Sequence, residues 1–298
     1  MKKNLAISYS TVFGCNILWG LLGAFWDLLS GTDPFYILAH RIAWSALFTL
    51  ILLLAGGKGR EIKEAFHNRA AMLRCAACGL LITVNWGMYI YAISSGHTLD
   101  SSLGYFIQPV VVVLIGILFF REKLRKLEIV TVLFAAAAIG SLLLRTGTLP
   151  WIALVLGTSF SLYGAVKKNL DMPPPLTLFL ETICVLPLAL GFIIWSHSTG
   201  DPLAALPGWR LLLLPIGGIV TSVPLLLFAT GVRHIPYYLV GILFYLNPSI
   251  QFLMSIFFFR ETLDAVRLTA FIIIWIGILF TITDKILLGI NEKKKKQA

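Results

Sequence analysis

SLGYFIQPVVVVLIGILFFREKL, residues Ser102 to Leu124, returns further along the chain as GILFYLNPSIQFLMSIFFFRETL, residues Gly241 to Leu263. At an offset of 139 residues, Leu103–Leu124 and Ile242–Leu263 share eight identities in 22 positions. Apolar segments match by chance, so Leu114/Leu253 or Phe119/Phe258 weigh little. More weight falls on a proline directly after an amide, Gln108-Pro109 and Asn247-Pro248, followed at one fixed distance by Arg121-Glu122-x-Leu124 and Arg260-Glu261-x-Leu263. Upstream the same offset pairs Leu81-Ile82-Thr83-Val84 with Val220-Thr221-Ser222-Val223. It then drifts to about 144 where Leu18-Trp19-Gly20 meets Leu162-Tyr163-Gly164. The chain therefore reads as a duplicated unit, with copies over 1–145 and 146–290 and a basic tail over 291–298.

Composition decides the solvent of that unit. With 298 residues, 58% hydrophobic and only 13% charged, and a mean hydropathy of +0.88, the chain lacks the charge a soluble surface needs. Its apolar runs approach the ~20 residues that cross ~30 Å of hydrocarbon as a helix, not the ~10-residue alternation of a barrel strand. An all-α integral membrane protein follows. The net charge of +10 would suggest nucleic acid in a soluble chain, but here it reads as basic residues beside the cytoplasmic leaflet, and no nucleic-acid partner is expected. Cys75-x-x-Cys78 has no second Cys/His pair, so packing explains it better than a metal, and no metal or cofactor is expected.

Ten spans are predicted, at roughly 5–28, 35–55, 71–93, 101–120, 127–144, 150–166, 175–195, 210–230, 238–259 and 267–288. Five per copy is odd, so the second copy enters the membrane from the other side and the repeat is inverted. With the N-terminus in the cytoplasm, nineteen Lys and Arg fall on the cytoplasmic side and four outside (Arg145, Arg210, Arg260, Arg267). That imbalance predicts both termini in the cytoplasm. The polar stretch from Gly56 to Arg74, with Ile62, Phe66 and Met72 among charges, predicts a short amphipathic helix at the surface.

No nucleophile, phosphate loop or paired intramembrane aspartates appears, so no catalytic residue is expected. Polar groups at membrane depth are the candidates instead, since each needs a partner or a wet cavity. Gln108 lies about 11 Å from one end of its span and Asn247 about 13 Å from the opposite end of its own, so both reach the midplane, where inverted-repeat transporters bind substrate. Pro109 and Pro248 each predict a kink by freeing the carbonyls of Tyr105 and Phe244. Helical spacing adds Tyr105 to Gln108, Gln251 to Asn247, and Tyr89 to Asn85. With Trp19 and Tyr163 these would line an amphipathic cavity; the bland alternatives are interhelical hydrogen bonds and aromatic packing.

Arg41 and Glu181 are the charges most clearly inside spans. Depth separates them by about 12 Å, so each is expected to find a local partner. Arg41 would pair with Asp27 or Asp33, and Glu181 with Lys167 or Lys168, as gates or as structural pairs. His97 and Glu181 are the candidates for coupling to a proton.

These elements resemble the EamA repeat of the drug/metabolite transporter superfamily. Trp19-Gly20, Ala39-His40-Arg41, Asn85-Trp86, Gly96-His97, Ser102-Leu103-Gly104-Tyr105-Phe106, Pro150-Trp151 and Leu180-Glu181-Thr182 are similar to RarD-type permeases over nearly the whole chain. The resemblance implies a bacterial inner-membrane permease whose spans one, three, four, six, eight and nine surround a central cavity. One departure is Gln108, where the family pattern carries Asn. The expected function is a secondary or facilitative transporter, with export favoured, of amino acids, metabolites or amphenicol-like drugs by alternating access. Its partners are a small-molecule substrate, the lipid bilayer and a possible coupling proton. The alternative is a membrane receptor or assembly factor with a static bundle.

Overall fold

The computed structural model describes residues 2–94, 98–146, 151–200, 202–203, 206, 208–258, 268–269, 272–273, 275–281 and 283. Every regular element among them is helical. In chain order they are α1 (Lys2–Asp27), α2 (Pro34–Ala55), α3 (Gly59–His67), α4 (Arg69–Ser94), α5 (Thr98–Leu118), α6 (Lys126–Thr146), α7 (Trp151–Lys168), α8 (Pro174–Thr199), α9 (Leu213–Gly231), α10 (Tyr237–Phe244) and α11 (Leu246–Phe257). Helical residues 275–281 fall within the last predicted span, whereas the basic tail lies outside the described residues. Among the described residues, six helical segments, from Leu5–Asp27 to Tyr237–Met254, are long and apolar enough to cross a bilayer.

Local sequence sets the helix ends. Pro34, Pro174 and the Pro236-Tyr237 step start helices where a missing N–H costs nothing. Asp33 accepts a hydrogen bond from the Tyr36 N–H at 2.8 Å and so caps α2. The predicted amphipathic segment is α3, with Arg60 and Glu64 exposed and paired, and Ala65 buried. Large apolar side chains such as Leu118, Leu188, Ile194 and Phe257 cover the outside of the bundle, as a lipid-facing surface requires.

Helix packing is reciprocal between the halves. α5 packs on α7 as α1 packs on α11 and α10; α2 on α9 as α8 on α4; α1 on α9 as α7 on α4. The self-paired contacts are α2 with α8 and α5 with α10. Glycines allow the closest crossings, as expected where helices associate in lipid. A Cβ on Gly79 would lie 2.5 Å from the Glu181 carbonyl oxygen, and one on Gly241 would lie 2.7 Å from that of Pro109.

The two amide-proline sites differ. The chain breaks at Tyr245 between α10 and α11, as the carbonyl freed by Pro248 predicts. α5 instead runs unbroken through Pro109. There Gly157 of α7 brings that helix against Ile107 and the Gln108 backbone.

The repeated Arg-Glu has a structural meaning that its position at a helix end only hinted at. After α5 the chain turns back, with the Glu122 N–H donating to the Gly116 carbonyl at 3.0 Å and Arg121 in the left-handed region at φ 53°. The Glu122 carboxylate then accepts from the backbone N–H groups of Tyr237 (2.6 Å) and Tyr238 (2.9 Å). It thus caps α10, a helix of the other half, where the helix dipole favours a negative charge. Glu122→Ala is expected to cost about 1–2 kcal/mol and Glu122→Gln less, read as thermal midpoints of the purified protein.

Candidate functional site

A cavity of about 320 Å³ lies at the centre of the bundle. α1 presents one stripe to it, Trp19, Leu22, Gly23 and Trp26, at i, i+3, i+4 and i+7 spacing, with Gly20 beside it. α4 adds Asn85, Trp86 and Tyr89; α5 adds Tyr105 and Gln108; α11 adds Asn247, Gln251 and Met254. Arg41 of α2, Phe160 of α7 and Thr221 of α9 complete the wall. A larger groove of about 770 Å³, lined by Tyr9, Phe13, Leu239 and Trp275, is almost wholly apolar and receives none of these amides. The polar groups that could orient a ligand converge on the smaller space, so the site is assigned there.

Inside it, some polar atoms are committed and others are not. The Asn85 amide donates to the Leu156 carbonyl (2.8 Å) and the Ser159 hydroxyl (3.0 Å), tying α4 to α7. Gln251 donates to the Asn247 side-chain oxygen at 2.9 Å, which leaves the Asn247 amide N–H groups for another acceptor. Gln108 is 8% exposed, and among the described residues nothing bonds its side-chain amide. Tyr89 and Tyr105 meet edge to face at 5.9 Å. The Arg41 guanidinium sits between the rings of Trp26 (4.4 Å) and Trp86 (4.3 Å), and its Nε donates to the Thr221 hydroxyl at 3.0 Å.

One side of the cavity is sealed. Trp19 stands edge-on to Phe160 at 5.4 Å, and Phe160 leads to Phe228 at 5.8 Å and Phe244 at 5.6 Å. Tyr163 stacks on Phe228 behind them at 6.1 Å. Beyond lies the fully buried ion pair of Lys167 and Glu181 at 2.5 Å, with Thr177 accepting from Lys167 and Tyr163 donating to Glu181. Lys168 and Glu122 form the next layer.

Seven of the eight residues expected to line a cavity do so: Trp19, Asn85, Tyr89, Tyr105, Gln108, Asn247 and Gln251. Tyr163 does not. Its pairing with Trp19 rested on the Leu-Tyr-Gly match, but the glycine of α7 that meets the Gln108 backbone, as Gly20 meets the Asn247 carbonyl, is Gly157. That match lies two turns too far along, which carries Tyr163 past the cavity to Glu181. Of the expected charge pairs, Lys167–Glu181 forms, whereas Lys168 turns to the Ile235 carbonyl (2.5 Å) and lies 3.9 Å from Glu122. Arg41 meets neither aspartate: Asp33 is spent on its cap and Asp27 stays exposed at the end of α1, while two indoles and a hydroxyl hold the guanidinium. His97 lies outside the described residues. Sequence reasoning passed over Trp26, Trp86 and Thr221. Trp26 was signalled by its seven-residue spacing from Trp19 on one helix face.

The EamA-like transporter family matches the chain twice, over residues 6–144 and 149–283. An uncharacterized transporter, YojE, of Bacillus subtilis is 40% identical over 266 residues, covering 88% of this chain and 89% of its own. Protein RarD of Streptomyces exfoliatus is 34% identical over 287 residues (96% and 91%), and Protein RarD of Escherichia coli is 30% identical over 270 residues (90% and 91%). One solved crystal structure shares the fold at a TM-score of 0.72 and 16% identity, covering 93% of this chain and 97% of that one. With the family matched in both halves and relatives of this identity along nearly the full length, the chain is a multi-pass membrane transporter, not an enzyme, and belongs to the EamA-like transporter family.

Proposed function

We propose that this protein moves small organic molecules across a bacterial inner membrane by alternating access around the Gln108/Asn247 level, as an exporter. In this reading ten spans form two inverted five-helix repeats, with both termini in the cytoplasm. The observation that carries it is a central cavity holding uncommitted amide atoms from two corresponding helices, sealed toward the Lys167 side by rings and an ion pair. A static scaffold would gain nothing by leaving these polar atoms unpartnered at depth. The reciprocal packing supplies the two-fold relation by which one set of contacts opens as its twin closes. Lys167–Glu181 serves as the gate on the sealed side, and a proton on Glu181 would release it.

Flux of labelled amino acids and labelled chloramphenicol in proteoliposomes tests this reading. At least one compound should move, and Gln108→Ala with Asn247→Ala should cut its flux at least about tenfold, the loss of one or two hydrogen bonds made in transit. Thermal midpoints close to wild type would show that the bundle persists. A panel that never moves, or an unchanged flux in the double variant, rejects the proposal.

A further inference from the structure

We infer that the cavity selects organic anions, holding the carboxylate of a small aromatic or amphipathic acid against Arg41. The inference rests on the reading of this cavity as the substrate site. A charge at membrane depth is costly and normally paired. Two other largely buried cations obey: Lys167 has Glu181, and Lys168 has two backbone carbonyls and Glu122. Arg41 does not. Its Nε is satisfied by Thr221 and its Cζ lies over the rings of Trp26 (4.4 Å) and Trp86 (4.3 Å), but among the described residues no acid or other acceptor meets its two terminal nitrogens.

The geometry selects the ligand. With Nε bonded to Thr221, the two terminal nitrogens remain without an acceptor among the described residues, and a guanidinium offers such N–H groups as a fork that matches a carboxylate with two parallel hydrogen bonds. Among the described residues none lining the cavity is acidic, so a cationic ligand would be repelled and a neutral one would leave the charge uncompensated. Among the same residues no second cation lines it, so a monoanion is balanced and a doubly charged phosphate is not. Gln108, with its free amide, lines the same cavity, and Trp19 and Phe160 offer apolar walls to the body of the acid.

The test uses purified full-length protein in nanodiscs of zwitterionic lipid, titrated calorimetrically with two matched pairs. These are 3-phenylpropionate with 3-phenylpropanamide, and indole-3-acetate with indole-3-acetamide. At least one acid should bind about tenfold or more tighter than its amide, the scale of a charge-assisted bidentate contact. Arg41→Gln should bring that acid down to its amide, and Arg41→Lys should retain part of the preference. A thermal midpoint of the Arg41→Gln variant close to wild type is its folding control. If that variant does not fold, the wild-type pairs and Arg41→Lys decide. Equal binding within both pairs, a preference that survives Arg41→Gln, or no binding by either acid overturns the inference. The two readings fail separately: flux of a neutral compound with no acid preference leaves transport standing and removes the anion site. An acid preference with no flux of any compound does the reverse.

Discussion

Lys167→Met should lower the stability of the protein by about 3–5 kcal/mol, the penalty for leaving one member of a buried ion pair uncompensated. Both side chains are essentially inaccessible, at 0% and 1% exposure, so no solvent can replace the lost partner. Without the lysine, Glu181 keeps only the Tyr163 hydroxyl at 3.4 Å. Glu181→Leu should cost a similar amount from the other direction, since Lys167 would retain, among the described residues, only the Thr177 hydroxyl at 2.9 Å and the Tyr163 ring at 5.6 Å. The double variant Lys167→Met/Glu181→Leu should recover most of the loss, because two apolar side chains suit the surrounding core. Thermal midpoints of the four proteins in one detergent decide the point. Equal losses in the singles and the double would mean that packing, not charge, explains the site.

The second large effect is expected at the crossing of α5 and α10, where Gly241→Val should cost about 1–3 kcal/mol or more. The obstacle is backbone: a Cβ there would lie 2.7 Å from the Pro109 carbonyl oxygen and 2.9 Å from the Val113 side chain, so one helix must move. α5 carries Gln108, so the displacement should also reduce flux beyond what stability explains. Gly191→Ala is the control, since nothing lies within 4 Å of that position and a helical Gly→Ala change is neutral to mildly favourable. A Gly241 variant with wild-type midpoint and flux would show that the two helices are not held at this crossing.

Much of this was legible in sequence because its causes are local or periodic. Apolar run length predicted helices in lipid. The amide-proline pairs and i, i+3 and i+4 spacing found six cavity residues, since a helix face is fixed by its own period. What failed depended on register between helices. Tyr163 was misplaced because apolar sequence offers chance matches, whereas the true counterpart of Gly20 is recognised only by what Gly157 touches. Arg41 was assigned to an acid because charge suggests countercharge, yet two indoles from α1 and α4 surround it, and no spacing within α2 announces them. In sequence Glu122 stands out only as part of a repeated Arg-Glu; that it caps α10, 115 residues away, is a fact of the folded bundle alone.

The seal of rings behind the cavity also has an electrical consequence. A membrane that stores ~100 mV drives each stray ion across with ~2.3 kcal/mol, so a wet, polar pocket at mid-depth is a place where that stored voltage could drain. Phe160, Phe228, Phe244 and Tyr163 place a slab of low dielectric between the pocket and the far face, and the charges just beyond cancel as Lys167 with Glu181. The slab makes the protein an insulator as well as a conduit. Its aromatic bulk keeps a voltage across the membrane from leaking away through the pocket.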